Sequence, residues 1–375
     1  MKTGAKFLLL SPTAFRPPTQ VGGGERYVTC LAEALARQDE VSAVTLLSFH
    51  DSREQLDERT GKLRQIVAPA HFHHANPINP YLPWRFLFSD LQFDYLYLHQ
   101  FATWLTPGAV LWSALRKVPL LLTDHNGGGA TYNRPLGFDM GIDLFLATSC
   151  LNAEVSSLRA KNEATIYGGV DTDFFTPAVA PISGAGPKST SKRGLLFVGR
   201  AHPIKGLLEI LEILRRSQRE GLLTLALSVV SDAEKIYLQK IQASVSAMAQ
   251  ASRWKVDIHL NADKEKLREL YRSHACTILP SLPEFPFESL GLTPLESLAC
   301  GTSAVVSSSC GIAELAREHD QPFFQVVRDW EKFLFEYGSR EVELASFSAH
   351  ATAWARQHAS WNQVARRVLS ALKKI

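Results

Sequence analysis

Two carboxylates, Glu288 and Glu296, bracket a glycine and a Thr-Pro pair in the run Glu288-Ser289-Leu290-Gly291-Leu292-Thr293-Pro294-Leu295-Glu296. Thr293, Pro294 and Glu296 have the types and spacing of an Ncap, an N1 proline and a capping-box glutamate. The spacing predicts a helix over Leu295 to Cys300 that stops at Gly301. The first backbone N–H groups of a helix lack intrahelical partners and point at its positive end, so Gly291, Leu292 and Thr293 could receive an anion. One carboxylate before such a helix and one in its first turn could hold a sugar and a ribose. On the residues alone a second reading stands beside it: Glu296 only caps the helix and Glu288 is a surface loop residue.

A second cluster is Gly199-Arg200-Ala201-His202-Pro203-Ile204-Lys205-Gly206, between a strand-like and a helix-like segment. Arg200 and Lys205 could converge there on a diphosphate, with charge-assisted hydrogen bonds contributing about 1.5–3 kcal/mol each. Two surface cations flanking a loop would look the same.

The elements that must position these groups alternate along the chain. Strands are predicted at Phe7 to Leu10, Val41 to Phe49, Tyr95 to Leu98, Pro119 to Thr123 and Leu144 to Ala147, with a helix at Glu25 to Arg37. A Pro-, Gly- and Ser-rich stretch over 178–193 reads as a linker. Beyond it come strands at Leu195 to Val198, Leu223 to Val230, Val256 to Leu260, Cys276 to Leu279 and Ala304 to Ser307, with a helix at Leu207 to Arg216. This alternation predicts two α/β domains with parallel sheets covered on both faces, 1–180 and 190–359. An amphipathic helix within 360–375, from Trp361 to Leu372, is free to pack on either domain, including back on the first. Open sheets of this kind bind ligands at the carboxyl ends of their strands, which makes a cleft between the domains the expected site.

Composition sets further bounds. At 375 residues the chain exceeds one ordinary core. Forty basic residues against 37 acidic ones leave a net charge of +3 with no basic stripe, which argues against a nucleic-acid partner. Five scattered cysteines without a C-x-x-C pair read as free thiols in a reducing compartment. The run Lys6 to Leu10 is too short for a signal peptide, and no apolar stretch approaches a membrane span. The expected location is cytoplasmic, extending to the cytoplasmic membrane face.

Glu288 and Glu296 with Gly291 between and Cys300-Gly301 after them resemble the signature of retaining glycosyltransferase family four, whose fold is GT-B. Other segments follow in the family's order: Gly22-Gly23-Gly24-Glu25-Arg26, Tyr167-Gly168-Gly169-Val170-Asp171 with Phe175 and Pro177, Gly199-Arg200, Lys205-Gly206, Gly311 with Glu314, and Trp361. The sequence departs from the pattern at Gly168, where the family has Asn, and at Ser303, where it has Pro. The resemblance implies a donor-binding C-terminal domain in which Arg200 and Lys205 take the diphosphate, Glu288 the transferred sugar, Glu296 the ribose, and Gly291, Leu292 and Thr293 offer N–H groups. It implies an active-site role for His125 at a strand end of the first domain, and an acceptor-side loop at Gly23 and Gly24, where the plain turn reading also stands. No cofactor and no metal are implied. The activity implied is transfer of a hexose or hexosamine from a UDP- or GDP-sugar to an acceptor hydroxyl. The partners are then the nucleotide-sugar and a glycan, lipid-linked or small-molecule acceptor. A sugar-nucleotide epimerase or phosphorylase, and a non-catalytic relative, are the rival readings.

Three segments invite other readings. Asp171-Thr172-Asp173 spells a metal motif of another glycosyltransferase fold but falls inside the Val-Asp segment. His71-Phe72-His73-His74 has zinc-ligand residue types without partner ligands at a recognised spacing, in a loop. Pro80-Tyr81-Leu82-Pro83-Trp84-Arg85-Phe86-Leu87-Phe88 is an aromatic and basic run suited either to packing or to peripheral membrane contact through the first domain.

Overall fold

The structure is a computed structural model that describes residues 4–14, 23–73, 76–125, 133–178, 192–283 and 288–375. Gly22, His74, Asn126-Gly127, the linker residues 179–191 and residues 284–287 lie outside the described residues. The chain divides into two units, Met1–Gly169 with Trp361–Ile375, and Val170–Ser360.

The first unit runs β1 (Ala5–Leu10), α1 (Gly23–Ala36), β2 (Val41–His50), β3 (Leu56–Thr60), β4 (Leu63–Pro69), a short antiparallel pair β5 (Phe72–His73) and β6 (Asn76–Pro80), β7 (Tyr95–His99), α2 (Leu105–Arg116), β8 (Leu120–Thr123), β9 (Leu144–Ala147), α3 (Cys150–Ser156) and β10 (Glu163–Thr165). His73 therefore lies in a strand, where the sequence suggested a loop. The main sheet has the order β10-β9-β8-β7-β1-β2-β4-β3. Its inner strands β7 to β9 are buried on both faces, as runs such as Leu120-Leu121-Leu122 require of a covered parallel sheet. The antiparallel edge β3, Leu-Asp-Glu-Arg-Thr, is exposed throughout, and its charges blunt that edge against further pairing.

The second unit runs β11 (Leu195–Arg200), α4 (Leu207–Arg216), β12 (Glu220–Ser228), α5 (Asp232–Ala251), β13 (Arg253–Leu260), α6 (Lys264–Ser273), β14 (Cys276–Leu279), α7 (Thr293–Ala299), β15 (Ser303–Ser307), α8 (Ile312–His319), β16 (Phe324–Val327), α9 (Trp330–Ser346) and α10 (Ser348–His358). Its six strands are all parallel in the order β13-β12-β11-β14-β15-β16. In chain order that is the doubly wound 3-2-1-4-5-6 arrangement, which reverses direction between β11 and β14. Leu195, Phe197, Leu211, Leu225, Trp254, Ile278 and Phe333 are among the side chains of its core. Each such burial contributes about 1.5–3 kcal/mol.

The sequence reading set the first boundary at 180, but the structure divides the chain between Gly169 and Val170. The physical reason is that residues 171–176 are fastened to α6. Lys264 pairs with Asp171 at 3.2 Å and lies over the Phe174 ring, and Arg272 donates to the Thr176 carbonyl at 2.6 Å. Phe175 is buried against Tyr271. Asp171 also accepts from the backbone N–H groups of Asp173 and Phe174, so in the Asp-x-Asp it is a turn cap and ion-pair partner.

The last helix, α11 (Trp361–Ala371), groups with the first unit, where Trp361 meets Tyr27 of α1 edge-on at 4.9 Å. Ser303 opens β15 and donates to the Leu344 carbonyl at 2.7 Å. None of the five cysteines is in a disulfide among the described residues, and Cys276, Cys300 and Cys310 are buried. No helix among the described residues is long and apolar enough to cross a membrane.

Candidate active site

In the second unit the candidate residues lie on the loops that leave β11 and β14, the two strands flanking the reversal of strand order. Neighbouring strand ends there send their chains to opposite faces of the sheet, which opens a crevice. The loops are tied directly: Leu282 N–H donates to the Ile204 carbonyl at 2.8 Å. Gly206 has φ +66°, and a Cβ there would fall 2.1 Å from the Pro280 carbonyl oxygen. Only glycine permits both the left-handed backbone and that approach. A 3-10 turn over Pro203–Lys205 then directs Lys205 inward.

Lys205 forms an ion pair with Glu288, and the two side chains are only 11% and 18% exposed. Arg200 does not join them; its guanidinium lies 3.7 Å from Glu234 at the start of α5, and it remains largely exposed. Glu234 also accepts from the Val230 and Ser231 N–H groups, closing a capping box. Between the two cations, His202 is held below its ordinary pKa by desolvation first and then by the Arg200 charge. The two cations expected to share a diphosphate are thus each matched to a carboxylate of their own, Arg200 to Glu234 and Lys205 to Glu288.

The helix start differs from the sequence reading. Gly291 turns the chain with φ +87°, so helical geometry is reached at Leu292, and α7 begins at Thr293 with no side-chain cap. The Leu292 carbonyl accepts from Leu295 and Glu296 N–H. Glu296 does not close a capping box; it is buried and accepts from the Tyr271 hydroxyl at 2.8 Å. The cause is that α6 packs beside α7 and offers a buried hydroxyl. The preceding loop is braced against the start of α8, where Gly311 N–H donates to Glu288 O and Ile312 N–H to Leu290 O, both at 2.9 Å. Gly291, Leu292 and Thr293 therefore sit on a fixed turn beside Glu288. At the other end of α7, Lys192 donates to the carbonyls of Cys300 and Gly301 and to the Thr302 hydroxyl, satisfying groups a helix end leaves open.

In the first unit the corresponding reversal lies between β1 and β7, and the candidates gather there as well. Gly23 and Gly24 are the first residues of α1, not a loop before it. A Cβ on Gly24 would lie 3.0 Å from the Gln100 amide and 3.6 Å from the His125 ring, so the helix start comes directly against the ends of β7 and β8. His99 Nδ1 and His125 Nε2 share a hydrogen bond at 3.3 Å, with near-parallel rings. Tyr27 packs edge-on against His125 at 4.8 Å. Desolvation is the leading cause that pushes His125 down to about 4 and holds His99 well below its ordinary value. Both rings are therefore neutral near pH 7, suited to exchanging hydrogen bonds and not to carrying charge.

Several participants were not singled out from sequence. His99 and Gln100 directly follow the strand predicted over Tyr95 to Leu98, which was the available signal. Glu25, buried, accepts from the Thr13 hydroxyl at 3.1 Å and ties the segment after β1 to α1. Glu234 carried only the Ser231-x-x-Glu234 spacing of a capping box, and Tyr271 carried no motif that could have announced it.

Residues 181–334 match the family model described as Glycosyl transferases group 1, and residues 21–174 match the one described as Glycosyltransferase Family 4. The chain is 23% identical over 313 residues to an alpha-maltose-1-phosphate synthase of Mycobacterium tuberculosis, covering 81% of this chain and 70% of that protein. Its fold is similar to that of Anabaena HepE in complex with UDP and glucose, with TM-score 0.69, 16% identity, and 99% and 100% of the two chains covered. It is likewise similar to an α,α-trehalose-phosphate synthase (UDP-forming) from Burkholderia xenovorans in complex with glucose-6-phosphate, with TM-score 0.68, 15% identity, and 98% and 100% covered.

Proposed function

Since the chain belongs to glycosyltransferase family 4, with the two α/β units of the GT-B fold, we propose that it transfers a hexose or hexosamine from a UDP- or GDP-sugar to an acceptor hydroxyl with retention of configuration. The observation that carries this reading is the Lys205–Glu288 pair on loops flanking the β11/β14 reversal. A cation and a carboxylate side by side suit a donor's phosphate and its adjacent sugar hydroxyls. Lys205 and Arg200 take the diphosphate, Glu288 the sugar hydroxyls, and the N–H groups of Gly291, Leu292 and Thr293 the remaining phosphate oxygens. Tyr271 holds Glu296 in place for the ribose.

In the reaction the bond from the anomeric carbon to the phosphate oxygen breaks, and a bond from the same face to the acceptor oxygen forms. The acceptor proton passes to the departing phosphate. The protein supplies position and charge neutralisation, which we assign to Arg200, Lys205 and the turn before α7, without a metal ion. Neutral His125 and the Gly24 backbone line the acceptor side. The names of the similar proteins favour a uridine donor and a small phosphorylated sugar as acceptor. A lipid-linked or envelope glycan intermediate is the alternative acceptor.

A thermal-shift panel of UDP, GDP and ADP identifies the donor base, and transfer assays with the matching sugar nucleotides test the residues. Glu288→Ala and Lys205→Ala are each expected to remove most turnover. Near-normal transfer by both folded variants would overturn the site assignment.

A further inference from the structure

Helix α2 is amphipathic in the wrong sense for a helix that faces water. Leu105, Thr106, Ala109, Trp112 and Ser113 are buried, which turns Pro107, Leu111, Ala114 and Leu115 outward. That outer face carries no polar side chain, whereas a solvated helix face is normally charged. Leu111 and Leu115, one turn apart, are both exposed.

Two segments extend the face on either side. On one flank a Cβ on Gly108 would lie 2.8 Å from Leu82, and Arg116 donates to the Ser89 carbonyl. These contacts fix the 81–89 segment against α2 and leave Trp84 72% and Phe88 79% exposed. On the other flank a Cβ on Gly141 would lie 2.8 Å from Val110, which fixes the turn carrying exposed Leu136 and Met140. Six exposed apolar side chains therefore lie on α2 and on the two segments packed along its flanks.

The charges of the same segments are one-sided. Residues 81–90, 105–117 and 133–141 hold Arg85, Arg116, Lys117 and Arg134, against Asp90 and Asp139. Asp139 is buried in an ion pair with Arg159 at 2.7 Å, and Asp90 acts on Arg64. The segments that carry the exposed apolar side chains therefore bear an excess of cations. Apolar side chains that enter the acyl boundary, with cations placed for headgroup phosphates, are the pattern of an interfacial membrane anchor.

We propose that the outer face of α2, with Trp84, Phe88, Leu136 and Met140, docks the first unit on an anionic lipid bilayer. Neither the donor site nor its ligand is needed for this contact.

The full-length chain is sedimented with phosphatidylcholine vesicles prepared with and without phosphatidylglycerol. Binding is expected on the anionic vesicles and weak on the neutral ones. Leu111→Gln with Leu115→Gln is expected to weaken it by about tenfold or more. Lys117→Gln with Arg134→Gln should weaken it by about fivefold per cation on anionic vesicles only. Brominated lipids should quench tryptophan emission in the wild type, and the quenching should largely vanish in Trp84→Phe. The substituted positions are exposed or, for Arg134, half-buried, so unchanged circular dichroism and an unchanged nucleotide thermal shift will certify the three variants. Failure of the wild type to bind, or binding indifferent to the two leucines, overturns the assignment. So does a wild-type dimer that Leu111→Gln with Leu115→Gln converts to monomer, which would give the face to a second copy of the chain.

Discussion

Lys205 and Glu288 are 83 residues apart in sequence and form a largely buried ion pair across the loops after β11 and β14. Under the proposed assignment, a donor phosphate draws Lys205 from Glu288 and leaves that carboxylate to the sugar hydroxyls. The pair is also part of the stability of the crevice. Removing one member leaves the other charge uncompensated, at a cost of roughly 2–4 kcal/mol.

Urea unfolding of Lys205→Met, Glu288→Gln and the double variant tests this coupling. The double variant should lose less than the sum of the singles, by about 1–3 kcal/mol. Additive losses would show that the two side chains do not depend on one another. Activity losses in the single variants must be read at temperatures where each is folded.

Gly24→Ala separates fold from function in the first unit. Alanine is the better helix former by roughly 0.5–1 kcal/mol, so α1 should tolerate it. The added methyl meets the flexible end of Gln100 at 3.0 Å, which must give way, and touches the His125 ring at 3.6 Å. The melting temperature should hold or rise while kcat/KM falls by about tenfold or more. Loss of stability with unchanged kcat/KM would return Gly24 to a purely structural part.

The neutral His99–His125 pair sets a pH dependence. Both have folded pKa values below the ordinary value, His125 at about 4. Below an unfolded pKa of about 6.5 the unfolded chain takes up protons that the folded chain refuses. Their contribution to stability is therefore fully present above that pH and is lost as pH falls toward the folded value. Unfolding midpoints in mildly acidic buffer should drop more for the wild type than for His125→Asn. Equal drops would place the acid sensitivity elsewhere.

Tyr271→Phe deletes the hydroxyl that holds Glu296. A buried carboxylate deprived of a donor costs about 1–3 kcal/mol. The proposed ribose contact predicts weaker nucleotide binding in calorimetry, with little change in kcat at saturating donor. Unaltered nucleotide affinity would separate Glu296 from the donor.

Much of the fold was legible locally. Runs such as Leu120-Leu121-Leu122 and Cys276-Thr277-Ile278-Leu279 announced buried strands, and the apolar spacing of Leu207 to Arg216 announced a helix. The boundary at 180 was read from a linker-like composition, which says nothing of the contacts Asp171, Phe174 and Thr176 make with α6. The capping-box reading of Glu296 failed for the same reason, because the competing partner, Tyr271, lies on another helix.

The sequence by itself determined that Glu288, Gly291 and Glu296 stand around a turn before a helix, since that depends on spacing along one segment. Only the tertiary structure decided that Glu288 meets Lys205, that Arg200 meets Glu234, and that His99 and Gln100 join His125 and Gly24. Those meetings depend on which parallel strands become neighbours. Strand order is set by burying all the sheet faces at once, and no local pattern encodes it.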